Sequence, residues 1–165
     1  MRKLVKAGLV ALVLSLGLAA PVTAGSLEDG IAAATRGDYA TALRLLRPLA
    51  DQGDAAAQSN LVVMYANGRG VPQDYAAAVA WARKAAEQGN ADAQSNLGTM
   101  YASGRGVPQD YVQAYKWYDL AAALPPALWT EMHQIAVKSR DRVAAKMTPA
   151  QIAEAQKLAR EWKLK

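Results

Sequence analysis

Laid on itself with a shift of 36 positions, the chain matches: residues 53–88 and 89–124 are identical at 22 of 36 places. The shared core is AQSNL, MYA, GRGVPQDY and a tryptophan, so that Ala57, Leu61, Met64, Tyr65, Val71, Pro72, Asp74, Tyr75 and Trp81 recur as Ala93, Leu97, Met100, Tyr101, Val107, Pro108, Asp110, Tyr111 and Trp117. A repeat of this length is a unit that cannot bury its own apolar face and must stack on its neighbours. That restricts the chain to a quasi-linear stack.

Each unit reads as two helices. The first runs over about 55–66 after Asp54, and its counterpart follows Asn90; both residues can cap the free amides of a first turn. The turn Gly68-Arg69-Gly70-Val71-Pro72, repeated at 104–108, offers two positions that accept positive φ and a proline that stops helical continuation. Asp74 and Asp110 then cap a second helix, closed after the first full unit by Gly89. Ala57, Leu61, Met64 and Tyr65 fall on one stripe of the first helix, so Met64, Tyr65 and Trp81 are expected in the core. There is no phenylalanine, and β-branched residues are sparse after residue 25, which argues against a sheet.

Half a unit precedes these two. Asp38-Tyr39-Ala40 aligns with Asp74-Tyr75-Ala76, with a short helix over 27–35 and the tight turn Arg36-Gly37 in place of a full first helix; Pro48 predicts a bend near Arg44. The repeat stops at Pro125-Pro126. Trp129, Met132, Ala136, Val143 and Met147 then recur at helical spacing, with an interruption possible near Ser139. Thr148-Pro149-Ala150-Gln151 signals the start of a last helix. That helix turns Ile152, Ala155, Ala159 and Trp162 to one side and Glu154, Lys157, Arg160 and Glu161 to the other, as a terminal cap requires. The expected organisation is a signal peptide at 1–24, a capping half repeat at 25–52, repeats at 53–88 and 89–124, and capping helices at 125–165.

The signal-peptide reading rests on Arg2, Lys3 and Lys6, an uncharged and mostly apolar run over 7–20, and the small-residue site Val22-Thr23-Ala24. The run is shorter than the ~20 residues of a spanning helix, so no stable membrane insertion is expected after cleavage. A periplasmic or secreted location follows. The chain has no cysteine, so its stability must come from packing and not from disulfides. Its formal charge is +5. Removing the three basic residues of 1–24 leaves +2, from 16 Lys and Arg against 14 Asp and Glu. That mild imbalance, in an exported chain, speaks against nucleic acid as a partner. Residues 138–165 hold eight basic and three acidic side chains, a pattern expected of a solvated helix face.

The pattern A..L..MY..G.GV..D...A..W...AA resembles the Sel-one-like repeat (SLR), a longer-turned relative of the tetratricopeptide repeat, over residues 37–124. The ending MTPAQIAEAQKLAREW is similar to the capping tail of bacterial members. The resemblance implies an all-α fold, a right-handed α–α superhelix of about two and a half repeats with a C-terminal capping helix, whose concave face is lined by first helices and recognises proteins or peptides. Carried over from the tetratricopeptide pattern with Leu61 and Leu97 as anchors, the concave positions are Ser59, Val63, Ala66 and Asn67, then Ser95, Thr99, Ala102 and Ser103. All lie off the core stripe. Where the family has glycine after the anchor leucine, as at Gly98, the first unit has Val62, which predicts wider helix packing there.

Reactive chemistry is not evident. His133 is the single histidine, and without cysteine, a second histidine or paired carboxylates it makes neither a metal site nor a nucleophile and base. Asp38, Asp74 and Asp110 recur because they start helices. Arg69 and Arg105 occupy matching turns and could hold a carboxylate or phosphate of a partner, although turn arginines are commonly just solvated. GRG is no phosphate loop: no Lys-Ser or Lys-Thr follows and no strand precedes it. The reading is a scaffold without enzymatic activity or cofactor, binding a protein or peptide. The alternative is a cell-wall glycan- or peptide-binding protein, or a β-lactam-type hydrolase, an activity linked to cysteine-rich exported relatives whose cysteines this chain lacks.

Overall fold

The computed structural model describes residues 26–123 and 131–163, so the signal-peptide segment and Trp129 lie outside the described residues. Among these residues the chain is all helix, with no strand. The helices are α1 (Leu27–Thr35), α2 (Tyr39–Asp51), α3 (Ala55–Asn67), α4 (Tyr75–Glu87), α5 (Ala91–Ser103), α6 (Tyr111–Ala121), α7 (Glu131–Ala144) and α8 (Pro149–Lys163). Three hairpins, α1–α2, α3–α4 and α5–α6, stack in chain order, and α7 and α8 both close against α6. The segment read as half a repeat is thus a hairpin like those behind it, with an α1 of nine residues against 13 in α3 and α5.

The helix starts are set locally. Asp38, Asp54, Asp74, Asn90 and Asp110 each accept a hydrogen bond from the amide three residues on, at 2.7–3.1 Å. Each such cap stabilises by about 1 kcal/mol. Hydrogen bonding from Thr41 holds the Asp38 carboxyl below the usual carboxylate range. Thr148 and Gln151 form a reciprocal capping box: the Thr148 amide donates to Gln151 Oε1 at 2.9 Å and the Gln151 amide to Thr148 Oγ1 at 3.3 Å. α2 stays one helix to Asp51, with Pro48 exposed in its last turns.

The AQSNL motif holds neighbouring units together. Gln58 Nε2 donates to Ala50 O at 3.0 Å and Gln94 Nε2 to Ala86 O at 3.2 Å, both buried. Each glutamine gives a second hydrogen bond to a carbonyl at the end of the preceding second helix, which already accepts the amide of Gly53 or Gly89, and so ties one unit to the next. Alanines at zero or near-zero exposure (Ala42, Ala78, Ala82, Ala85, Ala86) let the helices approach around Leu46, Leu61 and Leu97. Met64 and Trp81 are buried as expected, whereas Tyr65 is half-buried and its hydroxyl accepts from Arg47 Nη1 at 3.2 Å. Arg83 makes the same bond to Tyr101, at 3.0 Å. In the third unit that arginine position is Asp119, and it receives Arg140 Nη1 of α7 at 3.2 Å instead. The charge reversal selects a cap in place of another repeat.

The cap differs from expectation in its rotation. His133, Ala136 and Val143 are buried while Met132 is 38% exposed, so the inward stripe of α7 begins one residue later than the apolar pattern indicates. α7 runs unbroken through Ser139. α8 buries Ala155 and Ala159, and Trp162 meets Trp117 edge to face, ring centroids 5.0 Å apart. Lys116 Nζ lies 4.3 Å and 4.4 Å from the centroids of those two rings. This contact pins the last helix to the last repeat. Trp162→Ala is expected to cost about 2 kcal/mol and to loosen α8 before the repeats melt, read as early loss of amide exchange protection over 149–163.

Candidate interaction groove

First helices touch one another as well as their own partners: α1 meets α3, and α3 meets α5. On the water side of each junction lies a cleft. One, of about 180 Å³, is lined by Ala34, Thr35, Tyr39, Asn60, Val63 and Arg69. The next, of about 160 Å³, is lined by the equivalents Ala66, Asn67, Tyr75, Asn96, Thr99 and Arg105. Ser103, the last residue of α5, completes the second cleft. The two are one site repeated.

In each cleft the turn arginine crosses back onto the preceding unit. The Arg69 guanidinium lies 5.6 Å from the ring centroid of Tyr39, and that of Arg105 5.5 Å from Tyr75. A third cation continues the series, Lys146 Nζ at 5.4 Å from Tyr111. Stacking of this kind is worth about 0.5–1 kcal/mol at exposed sites. It orients the cation more than it stabilises the fold.

The loop backbone is held just as closely. Asp74 N donates to Tyr65 O at 2.9 Å and Asp110 N to Tyr101 O at 3.0 Å. Gln73 and Gln109 tie the same turns to Ala66 O and Ala102 O, both at 2.8 Å.

Of the concave positions named from the repeat pattern, Val63 (36% exposed), Asn67, Thr99 and Ser103 line the clefts. Ser59 and Ser95 do not: they are 7% and 5% exposed. Neighbouring elements cover the flank that carries them, a flank that an isolated helix would show to water. The residues missed are Asn60 and Asn96. They lie three before Val63 and Thr99 and seven before Asn67 and Ser103, on one helical stripe, so the i, i+3, i+7 spacing could have found them. Asn60 Nδ2 donates to Ala56 O at 2.9 Å, and Asn67 Nδ2 to Val63 O at 2.9 Å. Their carbonyl oxygens remain to accept a partner's N–H.

Thr99 Oγ1 bonds to Ser95 O at 3.1 Å and shares a 2.9 Å hydrogen bond with the Tyr118 hydroxyl. Burial pushes the Tyr118 phenol above its ordinary range, so it stays neutral and bonded at physiological pH. The Tyr118 ring lies on Gly98: a Cβ there would stand 2.9 Å from Cδ1. In the preceding unit the corresponding residues are Val62 and Ala82, both buried. The extra bulk has moved from one helix to the other.

Two larger hollows exist. One, of about 490 Å³, lies beside His133, Val137 and Lys138. The other, of about 560 Å³, is a mixed polar hollow between α4, α6 and α8 with Arg83, Lys116 and Trp162 among its walls. No group of three or more His, Cys, Asp or Glu that could hold a metal occurs among the described residues, and none of their helices is long and apolar enough to cross a membrane.

The Sel1 repeat family matches this chain three times, at residues 24–54, 55–90 and 91–125. The chain is a Sel1 repeat protein. The family match counts the first hairpin as a repeat in its own right, in agreement with the packing of α1 on α2. Two solved structures are similar. The first, c5321, a protective antigen present in uropathogenic Escherichia coli strains and displaying an SLR fold, shares 33% identity with a TM-score of 0.74 over 82% of this chain and 28% of its own. The second, a Sel1 repeat protein from Oxalobacter formigenes, shares 32% identity with a TM-score of 0.64 over 73% of this chain and 47% of its own. The chain therefore spans less than half the length of either. Among curated proteins no sequence matches it. Sel1 repeats generally mediate protein–protein interaction, and the repeat scaffold is typically non-catalytic.

Proposed function

We propose that this Sel1 repeat protein is a non-catalytic scaffold of the bacterial cell envelope that binds a protein or peptide along the groove formed by α1, α3 and α5. The supporting observation is the recurrence of one cleft at successive junctions, with Asn60, Val63 and Arg69 in the first repeated as Asn96, Thr99 and Arg105 in the second. A reaction centre is needed once, whereas a contact repeated at the pitch of the scaffold suits a partner laid along it. The envelope assignment rests on the basic, apolar and small-residue pattern of 1–24.

Filling the groove tests the reading. Val63→Trp with Ser103→Trp adds bulk at both clefts, at surface positions where substitutions change stability by about 0.5 kcal/mol or less. In affinity capture from envelope extracts, a partner held by the parent protein should be lost by this variant, with an unchanged melting curve. Full retention of the partner would move the site off the groove.

A further inference from the structure

The chemistry of the two clefts indicates what kind of segment they accept. Each presents one arginine and no acidic side chain in its wall. Arg69 and Arg105 are exposed, yet each rests over the ring of a tyrosine of the preceding unit. Among the described residues neither guanidinium donates to an acceptor; the ring contact is its whole engagement. Arg47 and Arg140 show the contrast, since both are spent on carboxylates of the chain itself, at 3.1 Å and 3.2 Å. A guanidinium held in place over a ring with its N–H groups unspent is prepared for a carboxylate, because part of the ordering has been done before the partner arrives. Beside each arginine an asparagine, Asn60 or Asn96, lies in reach of a peptide backbone.

Resting on the groove reading above, we infer that the clefts form a ladder for an extended acidic peptide, one carboxylate on Arg69 and the next on Arg105. Lys146 over Tyr111 supplies a third cation in the same series. Helices in contact lie about 8–10 Å apart; an extended chain in the polyproline II form, with a rise of about 3.1 Å and three residues per turn, covers that distance in about three residues and returns its side chain to the same face. Acidic side chains at every third position therefore fit the pitch. A folded helix would offer a different spacing along its axis, and a basic segment would be repelled.

The probe is an extended synthetic peptide with glutamate at every third position among serines and alanines, its binding to the purified full chain followed by fluorescence anisotropy. Controls carry lysine in place of glutamate, or the same glutamates bunched at one end. The spaced acidic peptide should bind, more weakly as salt is raised, and both controls should bind worse. Arg69→Gln with Arg105→Gln should weaken it about fivefold per arginine, as expected for two partly exposed charge-assisted pairs, while leaving the melting temperature in place. Equal binding by the double-glutamine variant, or equal binding of the lysine peptide, overturns the inference. So does arginine-dependent binding of phosphatidylglycerol vesicles with no binding of the peptide, which would assign the ladder to a membrane surface. An envelope partner lost by Val63→Trp with Ser103→Trp but kept by the glutamine variant sinks the carboxylate ladder and leaves the groove standing. A partner kept by both variants removes both.

Discussion

Gly106→Ala is expected to destabilise the protein by about 3–4 kcal/mol, whereas Gly89→Ala should cost about 1 kcal/mol. Both glycines have positive φ, 73° at Gly106 and 84° at Gly89. The backbone penalty for a Cβ in that region, about 1–2 kcal/mol, is therefore shared. The surroundings are not. Nothing stands within 4 Å of a Cβ built on Gly89, but one on Gly106 runs into the carbonyl group and Cβ of Tyr75 in the preceding unit. Backbone cannot rotate away as a side-chain tip can, so the turn must lift off α4. With it goes the Arg105 contact on Tyr75. Gly70 against Tyr39 is built the same way, its Cβ meeting Tyr39 Cβ at 2.8 Å. Chemical denaturation of the two variants decides the matter: equal losses would mean that the close approach of turn to helix carries no energy. A cost of this size is a large part of the 5–15 kcal/mol that a domain commonly has.

The second large effect is a size exchange between α5 and α6. Gly98→Val alone places branched bulk where the Tyr118 ring already lies and should cost about 3 kcal/mol. Tyr118→Ala alone empties that space and removes the bond to Thr99, at about 3–5 kcal/mol. Together they recreate the Val62 and Ala82 pairing that the preceding unit uses. The double variant should therefore be less destabilised than the sum by about 2 kcal/mol or more. Strict additivity in a double-mutant cycle would show that the two positions do not share one volume.

These pairs mark the limit of what could be read in advance. The five helix starts were legible because a cap joins a side chain to an amide three residues away, and nothing distant intervenes. The hairpins were legible because the repeat identifies itself and the two halves of each unit are separated by glycine and proline. The groove was legible only in part. Val63, Asn67, Thr99 and Ser103 reach the clefts, but Ser59 and Ser95 are covered, since a helical wheel gives a direction and not what occupies it. Met132 and His133 show the same limit: one step of rotation on α7 exchanges an expected core residue for an exposed one.

By itself, then, the sequence determined the helices, their ends, their number per unit and the requirement that units stack, all consequences of short-range hydrogen bonding and apolar periodicity. Only the tertiary structure decided which flank of each first helix stays open, that Arg69 and Arg105 rest on Tyr39 and Tyr75, and that Gly98 makes room for Tyr118. Those partners stand 20 or 30 residues apart in the chain. Their meeting depends on how one hairpin settles against the next, a choice made by the fit of whole surfaces and written in no local pattern.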